Sequence, residues 1–214
     1  WWGWQLLDPN GLQHQWWAVE QQGVVLDFAL FRTHLWDRAR QHGVELLNGC
    51  RVTLDRLKAQ SADVILASAE ETQLRTVDLV VDATGPGRHL QRQAGVAIES
   101  RDDSLLSGDG VEWLLQGDPR STAPWRDRLS FMLGSHWMAH GYGWVFPMAH
   151  DQLKVGVCRL PPPHADKVPL GRSLQRLLHR CGLDQLPVLD RHGGRVASTI
   201  RRRQPLGAGA LWAV

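Results

Sequence analysis

The sequence predicts a mixed α/β (α+β) chain in which an incomplete α/β part is joined to an antiparallel sheet. Three observations carry this. Phe28, Phe31, Leu35 and Ala39 recur at steps of three, four and four, which sets them on one helical face. Val77 to Val81 is nearly all apolar, as a strand buried on both faces is, and it runs into Asp82-Ala83-Thr84-Gly85. From Val111 onward, apolar or alternating stretches are separated by polar turns, the pattern of an antiparallel sheet.

Trp4–Leu7 and Gln15–Val19 read as a hairpin around Asp8-Pro9-Asn10-Gly11, which places Pro, Asn and Gly where a turn wants them. Gly23–Leu26 is extended, and the helix after it stops near His42-Gly43. Strands are expected at Val44–Leu47, Arg51–Leu57, Val64–Ala67 and Leu74–Val81, then at Val111–Leu115, Arg128–Leu133, Gly143–Phe146 and Leu153–Cys158. Pro161-Pro162-Pro163 closes the sheet, and Leu170, Leu174, Leu177, Leu178 and Cys181 mark a second helix.

Composition narrows the functional classes. With 214 residues, 43% of them hydrophobic, the chain can bury one sizeable core or two smaller ones. Lys plus Arg at 24 against Asp plus Glu at 22 gives a net charge of +2, too balanced for a nucleic-acid surface, and Arg201-Arg202-Arg203 reads as a solvated strand end. Cys50, Cys158 and Cys181 are odd in number and lack metal spacing, so neither a disulfide framework nor a zinc site is expected, and the cytoplasm is the default compartment. No apolar run reaches membrane-spanning length, which leaves peripheral membrane contact open. Eleven Trp, five of them within the first seventeen residues, suit a core, the default reading, or an apolar ligand cavity. The chain opens at Trp1-Trp2 without Met and stops in the apolar run Ala210–Val214, as a piece of a longer protein would.

Two segments are candidates for chemistry. Ala83-Thr84-Gly85 ends an apolar strand, where α/β folds place ligands and where Gly lets backbone approach a cofactor; the alternative is a plain Gly-Pro turn. In Gly141–Pro147, alternation puts Tyr142, Trp144 and Phe146 on one face before Pro147, either as a flat aromatic wall or as a core strand. His136, His140 and His150 have no metal-ligand spacing, so no metal is expected. Ser135-His136 lacks an oriented third partner, and no Gly-x-Ser-x-Gly is present, which argues against a hydrolase.

In order and spacing, these segments resemble FAD-dependent oxidoreductases of the geranylgeranyl reductase type, whose relatives include lycopene cyclases, flavin halogenases and aromatic-ring hydroxylases. The resemblance covers most of the chain. It implies an incomplete FAD-binding Rossmann-like domain, with FAD contacted by Val52 and by Ala83, Thr84 and Gly85, followed by the turn and short helix of Arg88, Arg92 and Gly95-Val96. It implies a small apolar, isoprenoid-type substrate bordered by Tyr142, Trp144, Phe146 and Pro147, as in the family's Tyr-x-Trp-x-Phe-Pro stretch. NAD(P)H is an electron donor that it admits. Thr84 stands where the hydroxylases carry Asp, which favours the reductase, cyclase and halogenase branches. Phe28 replaces a flavin-contacting Arg or Gln, with Arg32 one turn on as a substitute, and Met148 replaces a Lys. The family's N-terminal Gly-x-Gly-x-x-Gly and C-terminal Gly-Asp motifs fall outside the sequence; Gly193-Gly194 and Pro205–Val214 resemble the approach to the latter.

The expected organisation is therefore residues 1–98 as part of the FAD-binding domain with a substrate-side hairpin, 99–195 as an antiparallel substrate domain, and 196–214 as a return. No catalytic acid or base is assigned. A flavin monooxygenase or a lycopene-cyclase-like enzyme, and a non-catalytic apolar-ligand binder, are the alternatives.

Overall fold

The computed structural model describes residues 1–96, 106–160, 169–198 and 207–213. In chain order the elements are β1 (Gly3–Leu7), β2 (Gln13–Trp17), α1 (Phe28–Gln41), β3 (Arg51–Leu57), β4 (Ala62–Ala67), β5 (Thr72–Val77), β6 (Val80–Asp82), α2 (His89–Gln93) and β7 (Leu106–Gln116). There follow α3 (Pro119–Thr122), β8 (Arg128–Leu133), β9 (Gly141–Pro147), β10 (Gln152–Arg159), α4 (Leu170–Arg180), β11 (Val188–Ser198), β12 (Gly207–Ala208) and β13 (Leu211–Ala213). The chain is mixed α/β and divides into two units.

Trp1–Arg32 and Leu106–Ser198 form the first unit, around a seven-stranded sheet of order β11-β7-β10-β9-β8-β1-β2. All its pairs are antiparallel except β1 with β8, so the sheet is mixed rather than purely antiparallel. The hairpin β1–β2 turns at Asp8, whose Oδ1 accepts from Asn10 N and Leu12 N. Through the β1–β8 pairing this hairpin is built into the large sheet. The two units divide within α1, at 105/106 and at 198/199.

One face of this sheet is the core: Leu7, Met132, Val145, Leu153, Val155, Val157 and Leu115 are buried beneath Leu174, Leu177 and Leu178 of α4. Each such Leu contributes about 1.5–3 kcal/mol by leaving water. The approach is close, since a Cβ at Gly143 would lie 2.1 Å from Leu177 Cδ1. α4 ends at Arg180 and is capped by Cys181, followed by Gly182 with φ 68°.

Thr33–Leu105 and Thr199–Val214 form the second unit. It holds a three-stranded antiparallel sheet, β3-β4-β5, and a three-stranded sheet, β12-β13-β6, in which β13 and β6 run parallel. Ala62, Val64, Val80, Leu90, Ala210 and Leu211 are its core.

Four expectations need correction. Val44–Leu47 is not a strand: Val44 N donates to Ala39 O, closing the end of α1, and the segment pairs with no strand among the described residues. The expected strand Leu74–Val81 is two strands, because Val77 pairs with Ala62 while Val80 pairs with Leu211, so the chain changes sheets at Asp78-Leu79. Accordingly Leu79 and Val81 are exposed and only Val80 is buried, which is alternation rather than two-sided burial. The Trp excess is not core either: Trp125 and Trp137 are buried, while Trp2, Trp4, Trp16 and Trp17 are exposed.

The helix starts as expected at Phe28, where Asp27 caps it by accepting from Leu30 N, but α1 buries none of its residues. Arg201-Arg202-Arg203, Pro161-Pro162-Pro163 and Pro205 lie outside the described residues.

Candidate functional site

Two places concentrate the residues singled out by sequence, one in each unit. In the second unit, the parallel pair β6–β13 delivers its carboxyl end to the loop Ala83–Arg88. Asp82 is buried there and organises the loop. Its Oδ1 accepts from Thr84 N at 3.1 Å and from the Thr84 hydroxyl at 2.6 Å, and its Oδ2 accepts from Leu90 N and Gln91 N, both at 3.0 Å. Thr84 Oγ1 in turn accepts from His89 N.

Burial opposes the Asp82 charge, but the bonds from the Thr84 hydroxyl and the three N–H groups outweigh it and hold the carboxyl below its ordinary value. With the Asp82 carboxylate and the Thr84 hydroxyl engaged in these bonds, Ala83, Thr84 and Gly85 are exposed to solvent. Gly85 has φ 67° and open space where a Cβ would stand. Such a loop can bring backbone against a flat or phosphate-bearing group.

Val52 lies on β3, in the other sheet of the same unit, and is partly exposed. That strand is tied to α2 by Leu54 N, which donates to Gln93 Oε1 at 2.8 Å. The importance of Asp82 was missed by sequence reasoning. Its signal was an acid at a strand end a few residues before a helix start, the pattern of a capping carboxylate.

In the first unit, the sheet face opposite α4 is aromatic. Tyr142, Trp144 and Phe146 share it, with ring centroids 5.8 Å apart for the first pair and 6.2 Å for the second. Phe131 of β8 joins them, 5.2 Å from Phe146 and 6.1 Å from Tyr142, and Trp4 of β1 stacks on Phe131 at 5.8 Å. The rings thus continue from β9 across β8 to β1. Pro147 ends β9 opposite Leu153, and Met148 N continues the turn by donating to Gln152 O.

A cavity of about 560 Å³ opens beside this wall over β7, β10 and β11, and Tyr142 and Trp144 line it. Much of its floor is glycine, at Gly108, Gly110, Gly193 and Gly194. Glu112, mostly shielded from water, is its fixed polar point: Oε2 accepts from Trp144 Nε1 at 2.8 Å, and Oε1 lies 2.9 Å from His192 Nε2 and 4.0 Å from Lys154 Nζ. Lys154 Nζ also donates to Leu26 O. Burial, and then the neighbouring Cys158 thiol, push the Tyr142 phenol up, so it stays neutral as a donor.

Glu112 and His192 were not anticipated, because only strand pairing brings positions 112, 144 and 192 together. Chemically, the cavity suits a flat or extended apolar ligand with polar contacts at Glu112 and His192 and at Asp109 and Arg159. His136, His140 and His150 form no metal cluster among the described residues.

A parallel strand end with an acid-organised loop in one unit, and a sheet with an aromatic face in the other, fit the expectation of an FAD-dependent oxidoreductase. The chain belongs to the FAD dependent oxidoreductase family, whose profile matches residues 4–204. It is 28% identical over 156 residues to the digeranylgeranylglycerophospholipid reductase of Haloferax volcanii, covering 72% of this chain and 36% of that protein.

Among solved structures, a geranylgeranyl bacteriochlorophyll reductase-like protein from Thermoplasma acidophilum superposes with TM-score 0.72 at 21% identity, covering 99% of this chain and 53% of that one. The flavin-dependent monooxygenase PieE, solved with FAD and substrate, superposes with TM-score 0.68 at 14% identity, covering 99% and 40%. These likenesses establish the shared fold. The chain spans 36% of the length of the curated relative and 53% of the Thermoplasma protein. No helix among the described residues is long and apolar enough to cross a membrane.

Proposed function

We propose that the protein containing this chain is an FAD-dependent oxidoreductase that reduces an apolar, isoprenoid-type substrate. The observation that carries the reading is the aromatic face of Tyr142, Trp144 and Phe146 with its adjoining cavity. A polyene or prenyl chain laid along these rings exchanges water for aromatic surface and needs no charged partner. Pro147 fixes the end of that wall.

On the cofactor side, the loop of Ala83, Thr84 and Gly85, with Val52 of the neighbouring sheet, is suited to FAD. It offers exposed backbone, a left-handed Gly85 and no charge repulsion of a phosphate, since Asp82 is turned inward onto four donors. Bound there, the flavin supplies the redox chemistry. This chain's residues hold the substrate, keep water off it and orient it, and NAD(P)H is the donor that fits such an enzyme.

The likeness to digeranylgeranylglycerophospholipid reductase supports the isoprenoid substrate class. A monooxygenase is the second reading, favoured by the shared fold with PieE.

The test uses the purified full-length protein. Flavin absorbance that bleaches on reduction, and recovers as a geranylgeranyl lipid gains hydrogen by mass spectrometry, is expected. Substrate that gains oxygen instead selects the monooxygenase. A protein that binds no FAD overturns both and leaves an apolar-ligand binder.

A further inference from the structure

α4 carries a second surface, on the sheet face away from the aromatic wall. Its apolar side is spent on the core, with Leu174, Leu177 and Leu178 buried, which leaves Arg172, Gln175, Arg176, His179 and Arg180 exposed. Arg172, Arg176 and Arg180 follow at four-residue steps, about 6 Å apart along the axis, and so form one line. The helix contains no Asp or Glu. Like charges at this spacing weaken a helix, and no acidic residue on α4 pairs with them.

The line faces the turn Ser135–Trp137 across a concavity of about 710 Å³, larger than the aromatic cavity. Two of the three guanidinium groups are already positioned. Arg176 Nη2 donates to Ser173 Oγ at 3.2 Å, and Arg180 lies 3.9 Å from the centre of the Trp137 ring. Trp137 is itself fixed, buried and donating through Nε1 to Asp8 O at 2.9 Å. His179, which lines the concavity, has its Nδ1 3.1 Å from Asp184 Oδ2.

We propose that this concavity binds the phosphoryl oxyanion of a phosphomonoester or phosphodiester. Arginine forks meet phosphate oxygens in pairs, and low-dielectric concave walls concentrate the field of a few cations. Ser135 and His136, which found no partner as catalytic residues, line the concavity as well and offer a hydroxyl and an imidazole N–H. The volume admits one headgroup-sized ligand. A nucleic-acid track is not what this is: the basic line is a single short helix in a chain of net charge +2.

The experiment compares the full-length protein with its R172Q/R176Q/R180Q and R172K/R176K/R180K variants in two arms. One arm titrates glycerol 3-phosphate, a phosphomonoester, into the FAD-saturated protein by calorimetry. The other measures sedimentation with phosphatidylcholine vesicles with and without phosphatidylglycerol. Circular dichroism checks that the exposed substitutions leave the fold intact.

Binding in at least one arm is expected, weakened at least tenfold in the Gln variant and severalfold in the Lys variant. Glycerol 3-phosphate binding alone identifies a soluble phosphorylated ligand, and vesicle binding alone identifies a lipid headgroup; either supports the site. No binding in both arms, full binding by the Gln variant, or full affinity in the Lys variant overturns it, the last because diffuse charge alone would then suffice. None of these outcomes depends on flavin, so this site and the proposed redox function fail separately.

Discussion

Trp144 is held by Glu112: its indole Nε1 donates to Oε2 at 2.8 Å, while the ring lies across Gly156, where a Cβ would come within 2.2 Å of it. The central ring of the aromatic wall is thus fixed at its edge by a carboxylate and at its face by the lack of a side chain. Glu112→Ala removes the acceptor and leaves the indole N–H, His192 and Lys154 without it, which costs about 1–3 kcal/mol. Glu112→Gln keeps one acceptor and stays within about 1 kcal/mol of wild type. Urea midpoints, read beside the Trp emission maximum, check the order Glu, Gln, Ala. Equal midpoints for Gln and Ala would show that the bond does not hold the ring.

Asp82 makes the β6 loop pH-sensitive. Its folded pKa is lowered, so its contribution is fully present above the ordinary Asp value of about 3.9 and is lost as pH falls from there through the lower folded value. Asp82→Asn retains one acceptor oxygen for four donors and loses roughly 1.5–3 kcal/mol of charge-assisted bonding at neutral pH. Below about pH 4 the gap between wild type and variant narrows. Chemical denaturation at neutral pH and at pH 3 to 4 gives the comparison; a gap that does not change with pH removes the electrostatic account.

How much of this was legible in the sequence depends on how local each feature is. The hairpin at Asp8, the helix starting at Phe28 and the shared face of Tyr142, Trp144 and Phe146 follow from turn chemistry and period, which neighbouring residues encode. The break at Asp78-Leu79 does not, because Val77 and Val80 differ in what they pair with, Ala62 in one case and Leu211 in the other, and pairing is non-local. The same holds for Glu112, whose role exists because β10 sets Gly156 between it and Trp144. The parallel seam of β1 with β8 joins positions more than a hundred residues apart, and no local pattern announces it.

Gly143 and Leu177 give a test of how α4 is seated. Gly143→Ala places a methyl about where Leu177 Cδ1 now is, 2.1 Å away, and Leu177 is packed on all sides. Overpacking of this kind costs about 1–3 kcal/mol, and Leu177→Ala alone about 2–5 kcal/mol through the cavity it leaves. Combined, the new methyl occupies part of that cavity, so the double variant is more stable than the sum of the two losses predicts. Thermal or urea unfolding of all four proteins measures the coupling. Strict additivity would mean that α4 shifts off the sheet to relieve the contact.

Cys181, beside the buried stripe of α4, is the least reactive thiol expected here. Burial pushes it up to about 12, against a smaller opposing effect from Arg180, so almost none of it is thiolate at neutral pH. Alkylation by iodoacetamide at pH 8 therefore labels Cys181 at least tenfold more slowly than a free thiol of ordinary pKa, since rate follows thiolate fraction. Mass spectrometry of time points resolves it from Cys50 and Cys158. In urea the burial is lost and Cys181 labels at the ordinary rate, which separates protection by the fold from any property of the surrounding sequence. Rapid native labelling would place α4 off the sheet and remove the packing on which both the core and the arginine line depend.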